Sequence, residues 1–180
     1  MVDGDPGAIE VAMGGPDHLR LTAHLPHWGG LVHVVHQARH IFNLNFEIDR
    51  ANDLLLRDPL LGARIASLPG LRVPGAWDPF EVGVRAIVGQ QVTVAGAGTI
   101  VGRVVERHGM PVAGLGQLGL THTFPAAEVL ADADLIGTGL TGARIAAIHN
   151  FARAVATSEI TLDRSRSLDD ASASRMVVPV

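Results

Sequence analysis

Two adjacent glutamines, Gln90 and Gln91, interrupt the most apolar stretch of the chain. An amide side chain carries two donors and one acceptor, so a glutamine between apolar runs either meets water or waits for a partner. That leaves two readings: a solvated corner between two helices, or a polar tip presented to a ligand. The second group is histidine. His33, His36 and His40 share one face if their segment is helical, and His24 and His27 lie just upstream. Imidazoles on one face are the donors a zinc site uses. No carboxylate stands at ligand spacing among them, and no His/Glu pattern with a known mechanism is matched. A polar helix face is therefore the better reading, and no metal is expected. Gly137-Thr138-Gly139 before a helix is a weak phosphate-cradle signal, which glycine at a helix corner explains more simply. There is no cysteine, which excludes a disulfide framework, a thiolate metal site and thiol catalysis together.

The glutamines sit inside a segment, Asp78 to Gly109, that reads as two consecutive helices. Asp78 is a good N-cap, Pro79 suits the first helical position, and Glu81 stands three residues after the cap. Phe80, Val84, Ile87 and Val88 fall on one helical face. Glu81 and Arg85 form an i,i+4 pair with the acid correctly N-terminal, worth about 0.3 kcal/mol. Gly89 fits the helix stop. A second helix takes over near Val92, turns Ile100, Val101, Val104 and Val105 inward, and ends at Gly109. Arg103 and Arg107 face out near its C-terminal end, where the helix dipole favours cations.

Upstream, residues 8 to 25 alternate with period two. Ile9, Val11 and Met13 make one apolar face and Leu19, Leu21, Ala23 and Leu25 the next, with Gly14-Gly15-Pro16-Asp17 between. That predicts a β-hairpin. An isolated hairpin is marginal in water, so the chain is expected to begin inside a sheet domain rather than at its start. A helix is expected from about Leu31 to Phe42. Two short helices follow, one after Asp49 with Leu54 and Leu55, and one after Asp58-Pro59 with Leu60, Leu61 and Ile65. Leu68-Pro69-Gly70-Leu71 makes a turn. It lacks the second glycine and the directly following helix of a DNA-binding hairpin, since Arg72 and Pro74 stand there. Downstream, Met110 to His122 reads as a loop, Phe124-Pro125 opens a short helix to about Leu130, and Asp134 caps a further turn ending at Gly137. A helix from about Thr141 to Thr157 turns Ile145, Ile148, Ala152 and Val155 inward. Asp163 to Asp170 could start one more helix, and Ala171 to Val180 has no helical period.

Apolar content of 47% and charged content of 18% describe a globular chain, and 180 residues suffice for one domain or two small ones. The N-terminus is acidic without an apolar core, so no signal peptide is expected. The uncharged run Ala86 to Gly102 contains four Gly and two Gln and is a buried soluble segment rather than a membrane span. A cytoplasmic protein is expected. Formal net charge is −4, and all 14 basic residues are arginine. A free-standing nucleic-acid binder usually carries a basic surplus. Aromatics are 4%, with no Tyr, so few rings are on hand to stack a base.

The run from about Phe42 to Leu168 resembles DNA-3-methyladenine glycosylase II, of the helix-hairpin-helix DNA glycosylase superfamily. The residues that carry it are LPGLRVPGAWDPFEVGVRAIVGQQV, THTFPAAEVLADADL and LTGARIAAIHNFARAVA, in the family's order. The first is specific in its WDPFE cap and VRAIVGQQ helix end. The resemblance implies a mainly α fold, an incomplete helical glycosylase bundle with an N-terminal β-hairpin left from a small α+β domain. It divides the chain into 1–42, the end of an antiparallel-sheet domain; 43–168, a partial glycosylase domain; and 169–180, a tail foreign to the family.

The function it implies is base excision repair: flipping an alkylated purine such as 3-methyladenine out of damaged duplex DNA and hydrolysing its N-glycosidic bond, without metal or cofactor. Gln91, preceded by Gln90, falls where the family places a wedge that fills the hole left by the flipped base. The family's LPGxG hairpin and its downstream catalytic aspartate have no counterpart. The resemblance stops near Asp169-Asp170, as a frameshift or a fragment would make it, so no catalytic residue is carried over. The alternative is a non-catalytic remnant, or a weak DNA- or partner-binding helical module. Apolar faces left without their cover would self-associate.

Overall fold

A computed structural model of the chain describes residues 6–68 and 70–162. Pro69, the Asp163–Asp170 helix start and the 169–180 tail lie outside the described residues. Contacts divide the chain between Trp77 and Asp78 into two compact units. Among the described residues there are seven α-helices and one two-stranded sheet, so the fold is mainly α.

The first unit opens with the hairpin. Strand β1 (Ala8–Met13) pairs antiparallel with β2 (Leu19–His24), and the register sets Ile9 opposite Ala23, Val11 opposite Leu21 and Met13 opposite Leu19. The period-two pattern thus puts its apolar residues in cross-strand pairs on one face. Helix α1 (Leu31–Ile41) follows and buries Val34 and Ala38. Asn43 ends it in the left-handed region at φ 50°, a conformation asparagine tolerates. Arg72 then donates to the carbonyls of Asn43 and Phe46 at 2.7 and 2.8 Å, and the Gly75 N–H donates to Ile41 O, tying the segment before Trp77 to the end of α1.

The short helices differ from expectation. Helix α2 (Ile48–Leu55) starts before Asp49, not after it. Helix α3 (Gly62–Ser67) starts beyond Leu60 and Leu61. For α3 the cause is Asp58, whose carboxylate accepts the N–H groups of Leu60 and Leu61 at 2.8 and 3.0 Å, so the backbone closes a side-chain turn before it can become helix. Leu54 and Leu60 are 65% and 83% exposed.

The second unit holds the larger core. Helix α4 (Pro79–Gly89) is capped by Asp78, which accepts from the Phe80 N–H at 2.8 Å, and α5 (Val94–His108) by Thr93, which accepts from Gly96 at 3.1 Å. The segment expected as plain loop, Met110 to His122, folds back on itself through an isolated bridge between Pro111 and His122 and includes a 3-10 turn at Gly116–Leu118. Helix α6 (Ala127–Leu130) is a single turn, and α7 (Gly142–Ala156) is capped by Thr141. Phe80, Val84, Val88, Val104, Leu130 and Ile148 form the centre of the core. Phe151 stacks on Phe80 with centroids 5.4 Å apart, and Phe124 meets Phe80 edge-on at 6.2 Å. Gly109 is fixed by close approach, since a Cβ there would stand 2.3 Å from Thr123 O.

Candidate nucleic-acid interface

The α4–α5 corner is a tight turn. Gln90 has φ −62° and ψ 124°, and Gln91 has φ 55°. These are the dihedrals of the two central residues of a type II turn, whose second position normally takes glycine because φ is positive. Here it is Gln91 rather than Gly89 that turns left-handed; Gly89 is the last helical residue. A non-glycine residue in this region costs of order 1–3 kcal/mol, which the surroundings must hold in place.

Both glutamines are exposed. The polar-pair puzzle is thereby resolved: neither amide is buried between the helices, and the corner lifts both into solvent. Val94, in the first turn of α5, is 92% exposed beside them. The flanking helices are anchored below by Val84, Val88, Ile100 and Val101, all buried. A strained polar tip therefore stands on a rigid base.

Among the described residues, one bond reaches the turn from another element. Arg144, in the first turn of α7, donates through Nη2 to the carbonyl of Gln90. Its own helix end is fixed by Thr141 Oγ1, which accepts from the Arg144 N–H at 3.4 Å. Sequence reading missed Arg144. The signal was present but needed the α4–α7 pairing to be read. Gly83 packs against the Phe151 ring, and Gln90 lies two helical turns beyond Gly83, as Arg144 lies two turns before Phe151. In an antiparallel pair those offsets bring Arg144 to the end of α4.

A second feature was only half legible. Arg103 and Arg107 are exposed, as expected, but their guanidinium groups turn onto the loop between α6 and α7. Arg103 donates to Thr138 O at 3.1 Å and Arg107 to Ile136 O at 2.7 Å. His108 and His149 bond Asp134 O and Ala133 O at 2.9 Å each, and Arg153 donates to Ala131 O at 3.1 Å. A carbonyl can only accept, so each imidazole carries its proton on Nε2. Five side chains from α5 and α7 thus staple one loop. Six of its carbonyls, those of Ala131, Ala133, Asp134, Leu135, Ile136 and Thr138, are taken up internally, and Gly137 and Gly139 take positive φ there to make the bends. The Gly137-Thr138-Gly139 run is a helix connector, with Thr138 buried and bonded to Leu135 O at 2.7 Å.

The histidine face of α1 makes no metal centre among the described residues, where no group of three or more suitable ligands converges. No helix among them is long and apolar enough to cross a membrane.

Residues 1–78 match the AlkA N-terminal domain. Over 148 residues the chain is 33% identical to a probable bifunctional transcriptional activator/DNA repair enzyme AlkA of Mycobacterium tuberculosis, covering 82% of this chain and 30% of that protein. Over 94 residues it is 38% identical to DNA-3-methyladenine glycosylase 2 of Escherichia coli, covering 52% of this chain and 33% of that protein. The chain is thus similar to AlkA-type DNA-3-methyladenine glycosylases. It spans about a third of the length of these curated relatives. The fold agrees: 3-methyladenine DNA-glycosylase from Archaeoglobus fulgidus superposes with a TM-score of 0.70 at 19% identity, over 85% of this chain and 53% of that one.

Proposed function

We propose that the chain acts in base excision repair of alkylated purines in duplex DNA, as part of an AlkA-type glycosylase. In this reading the α4–α5 corner enters the duplex and Gln91 occupies the space left by the extruded base, with Gln90 as its neighbour at the DNA. The observation that carries it is Gln91 itself, exposed and held at φ 55° at the tip of two anchored helices. Strain retained at an exposed polar residue points to a use for that geometry. The names of the relatives supply the chemistry. The deciding experiment places 2-aminopurine beside an abasic-site analogue in a duplex. The protein should raise its fluorescence by unstacking it, and Gln91→Ala should abolish most of the rise while leaving the fold intact. An undiminished rise with Gln91→Ala overturns the assignment.

Hydrolysis of the glycosidic bond needs a carboxylate fixed at the flipped sugar. Four of the described acids of the second unit are otherwise engaged. Asp78 and Asp134 accept from backbone N–H groups, Glu81 pairs with Arg85 at 2.6 Å, and Asp132 pairs with Arg153 at 3.1 Å. These engagements and the net charge of −4 favour a second reading for this chain by itself, a non-catalytic module that binds DNA or a partner weakly. Neither a metal nor a cofactor enters either reading. A cytoplasmic location and self-association through exposed apolar faces complete the proposal.

A further inference from the structure

We propose that Arg144 is the positioning residue of the α4–α5 corner: its guanidinium, bonded to the carbonyl of Gln90, holds the strained turn that presents Gln91. The duplex role of Gln91 is the reading above, and the consequence of Arg144 for DNA rests on it; its consequence for the turn does not.

The turn needs an external support. A left-handed, non-glycine residue persists only where its neighbours over-determine it. Inside the corner the means are few. Asp78 and Thr93 cap the far end of α4 and the start of α5, and neither touches the peptide between Gln90 and Gln91. A Cβ added at Gly89 would meet nothing within 4 Å, so the turn is not wedged by packing on that side. The bond from Arg144 acts on the one carbonyl whose orientation fixes this peptide. In a type II turn the central peptide can flip to the type I arrangement, which moves the second residue to negative φ and swings its side chain away. A charge-assisted bond to that carbonyl opposes the flip.

The support is itself rigid. Arg144 lies on α7, whose Ile148 and Ala152 are fully buried and whose Phe151 is stacked on Phe80 of α4. The helix carrying the donor and the helix carrying the acceptor are therefore parts of one core. Arginine suits the task better than lysine, because its planar fork loses less freedom per bond formed.

The test uses the full chain. Arg144→Met keeps the aliphatic stem and removes the donors, and Arg144→Lys restores one donor. Backbone amide NMR reads the turn locally. With Arg144→Met, order parameters at Gln90, Gln91 and Val92 should fall from rigid-backbone values near 0.85 to below about 0.6, with α7 unchanged, and Arg144→Lys should recover them. In the 2-aminopurine assay, Arg144→Met should lower the fluorescence rise at saturating protein by at least half, and adding it to Gln91→Ala should cause no further loss. Unchanged order at residues 90–92 in Arg144→Met, with α7 folded, overturns the positioning role. If the turn loosens while wild type gives no fluorescence rise, or one indifferent to Gln91→Ala, the positioning role stands and the duplex reading falls.

Discussion

Gln91 concentrates the argument at the scale of single residues. Its positive φ is what makes the corner tight, and it is also what costs stability. Glycine at the same position relieves the strain at the price of extra freedom in the unfolded chain, so Gln91→Gly should leave stability unchanged or raise it by up to about 1 kcal/mol in urea denaturation. The same substitution should remove the unstacking of 2-aminopurine. A gain in stability with a loss of function is the signature of a residue kept for a purpose other than folding. Gly109 is the opposite case. Its φ is −73°, so conformation does not demand glycine, but the Thr123 and Val105 carbonyls stand where a Cβ would be, at 2.3 and 2.5 Å. Both obstacles are backbone, so Gly109→Ala should destabilise by about 1–3 kcal/mol or more, measured by the same denaturation.

At the scale of elements, what holds the corner up is the α4–α7 pair. Ile148 of α7 is fully buried, and Ile148→Ala should cost about 2–5 kcal/mol. Thermal melting followed by circular dichroism would read this as a clear fall in Tm of the second unit. Helices α4, α5 and α7 were legible because each carries its own cap and its own apolar period: Asp78, Thr93 and Thr141 begin them, and the expected inward residues Val84, Val104 and Ile148 are buried. The hairpin was legible for the same reason, since alternation and a Gly-Gly-Pro-Asp turn are local signals. The α6–α7 loop was legible in its Asp134 turn and Gly137 stop, but not in its burial. Leu135 is 1% exposed although it lies in no helix, because Arg103, Arg107, His108, His149 and Arg153 fix the loop from elements up to 35 residues away. No local pattern encodes such distant bonds. Gln90 and Gln91 were visible as a polar break, but their left-handed turn and its bond to Arg144 depend on how α4 and α7 pair. The start of α3 was misplaced because a side-chain turn at Asp58 competes with helix, and that choice is settled by geometry rather than by residue type.

At the scale of the whole molecule, the use made of arginine bears on how the chain can meet DNA. Binding to a duplex gains most of its strength from cations that neutralise phosphates, and each such contact steepens the salt dependence by about 0.9. Here Arg72, Arg103, Arg107 and Arg153 are spent on carbonyls, Arg85 on Glu81 and Arg144 on Gln90 O. With a net charge of −4 there is little cationic surplus left to track a backbone. Duplex affinity of the 180-residue chain should therefore be weak, with a log–log salt slope no steeper than about −2, measured by fluorescence anisotropy between low and moderate salt. Weak capture, with Asp78, Glu81, Asp132 and Asp134 engaged in caps and ion pairs, gives a further expectation. The purified chain should release no 3-methyladenine from alkylated DNA above a control without protein, and release above that control would show that a carboxylate of this chain reaches the flipped sugar. The exposed apolar residues of the first unit are where the proposed self-association can be tested. Trp28, Val32, Leu60 and Val73 are each 78% or more exposed, and among the described residues of that unit only Ala8, Val34 and Ala38 are buried hydrophobic side chains. If these side chains form a continuous patch, the proposed self-association would run through them. Sedimentation velocity should accordingly show an apparent mass that rises with concentration, and replacing Val32 and Leu60 by glutamine should restore a single monomeric boundary. A monomer at all concentrations in the unaltered chain would mean that these side chains are covered in solution by other parts of the same molecule.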